Sequence, residues 1–295
     1  MIPLFFLLIA AGCGPGRIAS KNTPVDENLA QLNRSARIAF DNRQLELAAN
    51  LYRQALDRAY LHDDRKAVAD AQYNLAVCNL ELGSYDKALL WVNRAKNESA
   101  RDEQSVTIDI LFLEAAILFR TGKLDRAWQV TDQILSAPER SPATVISKTH
   151  FLRGLISDQR GQTDQLAREI DALAKSADPG NRADREELIG RLAMAEGRWD
   201  AAIEAMDLTA RLRRENLDFS EMAQALSLAA DACRRAGKPS EAAKRYFRAG
   251  RSAVQQGNSQ DAEKWLNSAV QLAGQAGDEP LEQEVRAFLQ RMPTP

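Results

Sequence analysis

Few residues in this chain have the chemistry of a catalytic or metal-binding group. The 295 residues include only two histidines, His62 in a polar loop and His150 within a helical segment, and neither has the spacing of a zinc ligand. Cys78 and Cys233 fall where a helix packs small apolar side chains, so we expect buried thiols and no disulfide. Without a paired nucleophile and base, the sequence predicts no enzyme, no metal, no cofactor and no small-molecule substrate.

Composition narrows the class of protein further. Lys and Arg number 39 and Asp and Glu number 41, giving a net charge of −2, so the chain lacks the basic field of a nucleic-acid binder. A content of 27% charged and 45% hydrophobic residues excludes collagen-like, disulfide-dense and disordered classes. With only 6% aromatic residues, a β sandwich or barrel is disfavoured.

The first residues predict an export signal. Residues 1–11 are apolar, but this run is too short to span a bilayer, which needs about 20 residues. The stretch Ala10-Ala11-Gly12-Cys13 resembles the lipobox of bacterial lipoproteins, although Ala10 stands where Leu is usual and no Lys or Arg precedes the apolar run. The resemblance implies that residues 1–12 are a lipoprotein signal peptide and that Cys13 is acylated.

An acylated Cys13 would hold the chain in a bacterial cell envelope. Two or more acyl chains give stable anchoring, and Gly14 in place of Asp favours the outer membrane, facing the periplasm, in a Gram-negative host. Residues 13–28 are rich in Gly, Pro and polar residues, which predicts a flexible tether. The alternative is a chance apolar start on a cytosolic protein with no lipid anchor.

From about residue 29 the sequence repeats. Turn positions recur at intervals of 36 to 40 residues, at Arg43, Gly83, Gly122, Gly161, Gly197 and Gly237. A small residue follows five positions later in most units, at Ala48, Ala88, Ala127, Ala202 and Ala242. Another lies seven positions before the turn, at Ala36, Ala76, Ala115, Gly154, Gly190 and Ala230. This spacing predicts helical hairpins, because Gly ends a helix in the left-handed conformation and small residues let two helices approach closely.

These offsets resemble the tetratricopeptide repeat (TPR). The resemblance implies an all-α, right-handed solenoid of antiparallel helix pairs, with about six or seven hairpins over residues 29–275 and a capping helix at 279–291. The period of about 39 residues is longer than the usual period of roughly 34. The fourth unit matches worst, so we expect a possible seam near residues 137–180.

The resemblance also implies a partner-binding groove, since the first helix of each pair lines the concave face in this family. Matching positions are Arg37, Phe40, Tyr73, Val77, Phe112, Phe119, Phe151, Arg191, Asp231 and Arg234. The groove would be aromatic in its N-terminal half and charged in its C-terminal half, and it could hold an extended or helical peptide. The alternative is that the rings are buried between the helices.

The sequence therefore predicts a lipid-anchored scaffold or adaptor that binds a protein or peptide partner in the cell envelope. The competing interpretation is a cytosolic TPR scaffold or regulatory protein with no lipid anchor. A basic stretch from Arg211 to Arg251 is either a solvated helix face or a surface for headgroups, cell-wall polymer or an acidic partner.

Overall fold

The computed structural model describes residues 26–100, 108–136, 138, 141–175 and 179–292. These residues form fourteen α-helices and one short 3-10 helix, with no strand among them, as the predicted all-α fold requires. None of the helices in this part of the chain is long and apolar enough to cross a bilayer. The predicted signal peptide, Cys13 and the tether as far as residue 25 lie outside the described residues.

The described helices fall into two compact units, divided between Val145 and Ile146. The N-terminal unit contains α1 (Glu27–Asp41), α2 (Leu45–Leu61), α3 (Arg65–Glu81), α4 (Tyr85–Ala100), α5 (Ile108–Arg120) and α6 (Leu124–Leu135). The C-terminal unit contains most of α7 (Ala143–Gln159), then α8 (Thr163–Lys175), the 3-10 helix (Pro179–Asn181), α9 (Arg182–Ala195), α10 (Trp199–Glu215), α11 (Phe219–Arg235), α12 (Pro239–Gln255), α13 (Ser259–Ala276) and α14 (Glu279–Gln290). Sequence spacing predicted each of these α-helices.

Left-handed residues end the helices, as the repeat pattern predicted. Seven glycines at helix ends, from Gly83 to Gly277, have φ between 66° and 72°. Arg43, Asp63 and Leu217 occupy the same kind of turn with φ of 61°, 52° and 63°. An L-residue with a Cβ adopts this conformation less readily than glycine, so these three turns are locally less favourable than the glycine turns.

Small residues bring neighbouring helices together in both units. Ala36, Ala76 and Ala230, predicted at the close approaches, are fully buried. A Cβ added to Gly190 on α9 would lie 2.7 Å from Cε of Met206 on α10, and one added to Gly154 on α7 would collide with the side chain of Leu188 on α9. The helices therefore approach too closely at these points for any larger residue to be accommodated without movement.

The last helix closes the core of the C-terminal unit. Leu281 and Val285 on α14 are buried in the cluster that includes Trp265 of α13. The ring of Phe288 meets that of Phe247 on α12 edge to face, with ring centroids 5.7 Å apart. The apolar face of this predicted capping helix thus packs against its own unit.

Candidate partner-binding site

Each of the two histidines lies beside a carboxylate. His62 Nε2 lies 2.8 Å from Asp26 Oδ2, and the imidazole is half exposed, as a turn residue would be. His150 Nδ1 lies 2.7 Å from the buried Glu169 Oε2. Burial raises the pKa of Glu169, but the hydrogen bond from His150 and the charge of Arg153 outweigh it, so the pKa of this carboxyl is lowered. No group of three or more potential metal ligands occurs in the part of the chain that the structure describes.

Both described cysteines are free and fully buried, which confirms the sequence prediction. Burial raises the pKa of the Cys78 thiol to about 12. Burial also raises the pKa of Cys233, although the nearby Arg245 opposes the shift. Neither thiol is ionised at neutral pH, so neither has the character of a nucleophile.

The apolar residues predicted to line the groove lie mainly in the cores. In the N-terminal unit the exposed fraction is 6% for Phe112, 3% for Phe119 and 7% for Val77. Phe40 and Tyr73 are half-buried and pack against the cluster that contains Val77. These rings stabilise the helix pairs and offer little area to a partner.

Three of the predicted groove residues remain accessible, namely Arg37, Asp231 and Arg234. Arg37 is exposed on α1. On α11, Asp231 accepts hydrogen bonds from Arg234 Nη2 at 3.2 Å and from the Tyr246 hydroxyl at 2.8 Å. Burial, with the charge of Asp231, raises the pKa of Tyr246, so the phenol remains a donor at neutral pH.

Phe151 and Arg191, the other predicted residues of the C-terminal unit, are both buried, and Arg191 belongs to a set of paired charges. We call this set the α9 charge cluster. It combines side chains of α7, α9, α10 and the start of α11. Its members are Lys148, Asp158, Asp184, Glu187, Arg191, Arg213, Asp218 and Glu221.

Asp184 lies at the centre of the α9 charge cluster. Its side chain is fully buried, and it accepts from Arg213 Nη2 at 2.5 Å and from Lys148 Nζ at 3.0 Å. Arg213 is also 3.7 Å from Glu187 Oε2 and 3.8 Å from Asp218 Oδ2. Burial lowers the pKa of Arg213, but the surrounding carboxylates reverse the shift and raise it. The guanidinium is therefore held in its charged form.

Arg191 joins two helices of the same cluster. Its Nη1 is 2.9 Å from Asp158 Oδ2 on α7, and its Nη2 is 2.9 Å from Glu187 Oε1 on α9. The cluster reaches the surface at its edges, where the side chains of Lys148, Asp158 and Asp218 are 32%, 27% and 23% exposed. Charges of both signs are therefore presented at the border of a desolvated site.

Glu221 is the unbalanced member of the cluster. Both of its carboxylate oxygens are buried and have no hydrogen-bond partner in the structure. Burial raises the pKa of this carboxyl to about 7, against the opposing charges of Arg213 and Lys148 and with support from Asp218. Near neutral pH, proton binding at Glu221 therefore changes the net charge of the cluster.

The sequence resemblance found part of this cluster. It assigns Arg191 to the groove, and Asp184, Glu187 and Arg191 are spaced so that they share one face of α9. A stripe of polar residues on a helix that packs against neighbouring helices on both sides is the sequence pattern that indicates such a site. Lys148, Arg213 and Glu221 come from three other helices, so the sequence could not show that they meet here.

Comparison with known proteins agrees with the repeat architecture. Residues 33–106 and 188–251 match the tetratricopeptide repeat. Among curated proteins, none matches the sequence of this chain. Together with the all-helical structure, these matches show a TPR-like helical repeat fold.

Three solved structures illustrate the similarity of fold. A TPR protein from Parabacteroides merdae is 15% identical, with a TM-score of 0.51 over 88% of this chain and 99% of that one. A Rap protein complexed with Competence and Sporulation Factor is 13% identical, with a TM-score of 0.59 over 87% and 78% of the two chains. The Rap conjugation gene regulator of the plasmid pLS20, in complex with the Phr* peptide, is 13% identical, with a TM-score of 0.58 over 90% and 77%.

Proposed function

We propose that this chain is a non-catalytic scaffold of the bacterial cell envelope, anchored by lipid at Cys13. It binds a segment of a protein partner over the α9 charge cluster, on the face to which α7, α9 and α11 contribute. The observation that carries the binding proposal is the buried set of charges of both signs, which reaches the surface at Lys148, Asp158 and Asp218.

The energetics of the α9 charge cluster favour a role beyond stability. Buried ion pairs are often no more stabilising than apolar residues of similar volume, because desolvation offsets the Coulombic attraction. A helix stack made for packing alone has no need of Asp184, Glu187 and Arg191 on a buried face. Paired charges at a half-open site instead suit the main-chain groups and charged side chains of a bound peptide.

The similar structures support a peptide-sized partner. One Rap regulator was solved with the Phr* peptide bound, so a stack of this fold can accept a peptide. The aromatic surface predicted for the N-terminal half contributes less to the proposal, because Phe112 and Phe119 are buried. Binding over the C-terminal unit therefore rests on polar contacts.

Photo-crosslinking at single positions tests the binding site. A photoreactive residue at position 158 lies at the accessible edge of the cluster, and one at position 234 lies on α11. One at the exposed position 204 of α10 is a matched control on another helix. We expect the same partner to be captured from 158 and 234 and not from 204. Equal capture from 204, or none from 158 and 234, would contradict the proposed site.

The anchor needs a separate measurement. Intact mass should show a chain that begins at Cys13 and carries acyl groups, and the Cys13→Ala variant should leave the membrane fraction. The sequence at residues 10–14 supports this expectation and favours the outer membrane. An unprocessed chain in the soluble fraction would contradict the anchor and favour the cytosolic scaffold.

A further inference from the structure

Helices α10 and α12 lie side by side and run in the same direction. Lys238 Nζ is 2.7 Å from Asp200 Oδ1, and Arg245 Nη2 is 2.7 Å from Asp207 Oδ2. Each pair joins residues 38 positions apart, so the two helices keep one register between these two pairs. Continued by one or two turns, this register brings the C-terminal ends of both helices to the same level.

Four arginines lie in the C-terminal halves of α10 and α12. By the same register, Arg211 and Arg214 of α10 lie level with positions 249 and 252 of α12, next to Arg248 and Arg251. All four are exposed, and the described part of the chain provides no ion pair for any of them. The Arg251 guanidinium lies 5.5 Å from the centre of the Phe247 ring, and Glu215 is the exposed acid beside Arg214 in sequence. The surface has a clear excess of positive charge.

Two apolar side chains project next to the arginines. Leu217 lies in the turn after α10, and Phe219 is the first residue of α11; they are 73% and 45% exposed. Gln256 Nε2 at the end of α12 donates to the Phe219 carbonyl at 3.1 Å, which fixes this turn against α12. We call the whole surface the arginine–leucine patch; its members are Arg211, Arg214, Leu217, Phe219, Arg248 and Arg251.

Helix stability accounts for only a small part of this patch. Cations in the last turn of a helix interact favourably with its dipole, which explains Arg214 without a ligand. The dipole does not explain Leu217, whose φ is 63° where seven other turns have glycine. An exposed apolar side chain in an unfavourable backbone conformation, surrounded by cations, indicates that the side chain itself has a use.

We propose that the arginine–leucine patch binds the surface of an anionic phospholipid bilayer. The guanidinium groups pair with headgroup phosphates, which match their planar donor geometry. Leu217 and Phe219 enter the boundary between headgroups and acyl chains, where apolar side chains are stabilised. The excess of charge selects an anionic partner, and the projecting apolar pair selects a bilayer over an acidic protein. This contact needs neither the α9 charge cluster nor the lipid on Cys13.

Vesicle flotation of the full chain tests the proposal. Every sample carries Cys13→Ala, so no acyl chain contributes, and residues 1–12 are common to all samples. Vesicles of phosphatidylglycerol with phosphatidylethanolamine are compared with neutral vesicles of phosphatidylcholine with phosphatidylethanolamine. We expect partitioning about tenfold stronger on the anionic vesicles, and a decrease of this preference as salt rises.

Two patch variants and one matched control locate the contact. The charge variant, Arg211→Gln with Arg214→Gln, Arg248→Gln and Arg251→Gln, should lose the anionic preference about tenfold or more. Leu217→Gly with Phe219→Ala should weaken binding about threefold or more while leaving the charge intact. The control removes four exposed arginines of the N-terminal unit and should change partitioning less than twofold; these are Arg34, Arg53, Arg65 and Arg126. Circular dichroism verifies the fold of each variant.

Three results would overturn the proposal. The first is equal binding to neutral and anionic vesicles. The second is an equal loss in the patch and control variants, which would mean that only the net charge of the chain matters. The third is retention of a soluble acidic polypeptide, such as polyglutamate, by a chain that ignores vesicles, which would make the patch a protein-docking surface.

Discussion

Arg213 and Asp184 form a buried ion pair between α10 and α9, with Nη2 2.5 Å from Oδ1 and side chains only 6% and 0% exposed. Removing the charge of Asp184 leaves the buried Arg213 with only the more distant carboxylates of Glu187 and Asp218, at 3.7 and 3.8 Å. We therefore expect Asp184→Asn, which keeps the shape of the side chain, to lower the free energy of unfolding by about 3–5 kcal/mol. Urea unfolding followed by circular dichroism measures the loss.

The exposed pair of Asp200 and Lys238 is the control for this prediction. Its side chains are 83% and 42% exposed, so solvent screens the interaction. Asp200→Asn should change the free energy of unfolding by less than about 1 kcal/mol. Similar losses in the two variants would contradict the assignment of Asp184 as the centre of the α9 charge cluster.

The raised pKa of Glu221 predicts that the chain becomes less stable as pH rises. Its pKa is about 7 in the folded chain against 4.5 for an ordinary glutamate, so the folded state binds more protons between these pH values. The free energy of unfolding therefore falls by up to about 1.4 kcal/mol per pH unit across this window, roughly 3 kcal/mol in all. Unfolding experiments from pH 4 to pH 8 should show this slope in the native chain and a flatter profile in Glu221→Gln.

Glu263→Gln is the control variant for the pH profile. Glu263 is exposed on α13, so its replacement should leave the slope between pH 4.5 and 7 unchanged. If Glu221→Gln and the native chain gave parallel profiles, the carboxyl would be ionised throughout this range, and the cluster would carry a fixed charge at neutral pH.

Local spacing made the fold predictable, because one hairpin needs only a turn residue and small residues at fixed offsets. The burial of the Phe112 and Phe119 rings was harder to predict. Residues 110–119 of α5 are all buried, including Phe112 and Phe119. The local signal is present, since residues 110–119 are apolar apart from Glu114, as in a fully enclosed helix. The family pattern instead placed these rings in the groove.

Contacts between distant segments could not be predicted in the same way. Glu221, Arg213 and Lys148 belong to three helices, and no short spacing in the sequence relates them. The turn at Leu217 can be recognised from the sequence. Gly237 and Gly257 are 20 residues apart, and position 217 lies 20 residues before Gly237. A leucine at a position where the repeat has glycine was therefore visible before the structure.

Gly154 should tolerate no larger side chain. Its ideal Cβ position overlaps the fully buried side chain of Leu188, so Gly154→Ala should lower the free energy of unfolding by about 1–3 kcal/mol. Gly274 is the contrasting helical glycine, because it is exposed and its nearest neighbour is the flexible Glu282 carboxylate at 3.1 Å. Gly274→Ala should raise stability by about 0.5–1 kcal/mol, and a loss as large as that of Gly154→Ala would contradict the packing argument.

Leu217→Gly should raise the stability of the chain while weakening its binding to anionic vesicles. Glycine accepts the φ of 63° at this turn, and the leucine side chain is 73% exposed, so little packing is lost and the chain should gain about 1 kcal/mol in thermal or urea unfolding. Gly237→Ala, at a φ of 72°, should lose a similar amount, about 1 kcal/mol. A stabilised Leu217→Gly variant that binds anionic vesicles less well would show that the leucine opposes folding and serves the membrane contact. A destabilised variant would instead make Leu217 a packing residue of the turn.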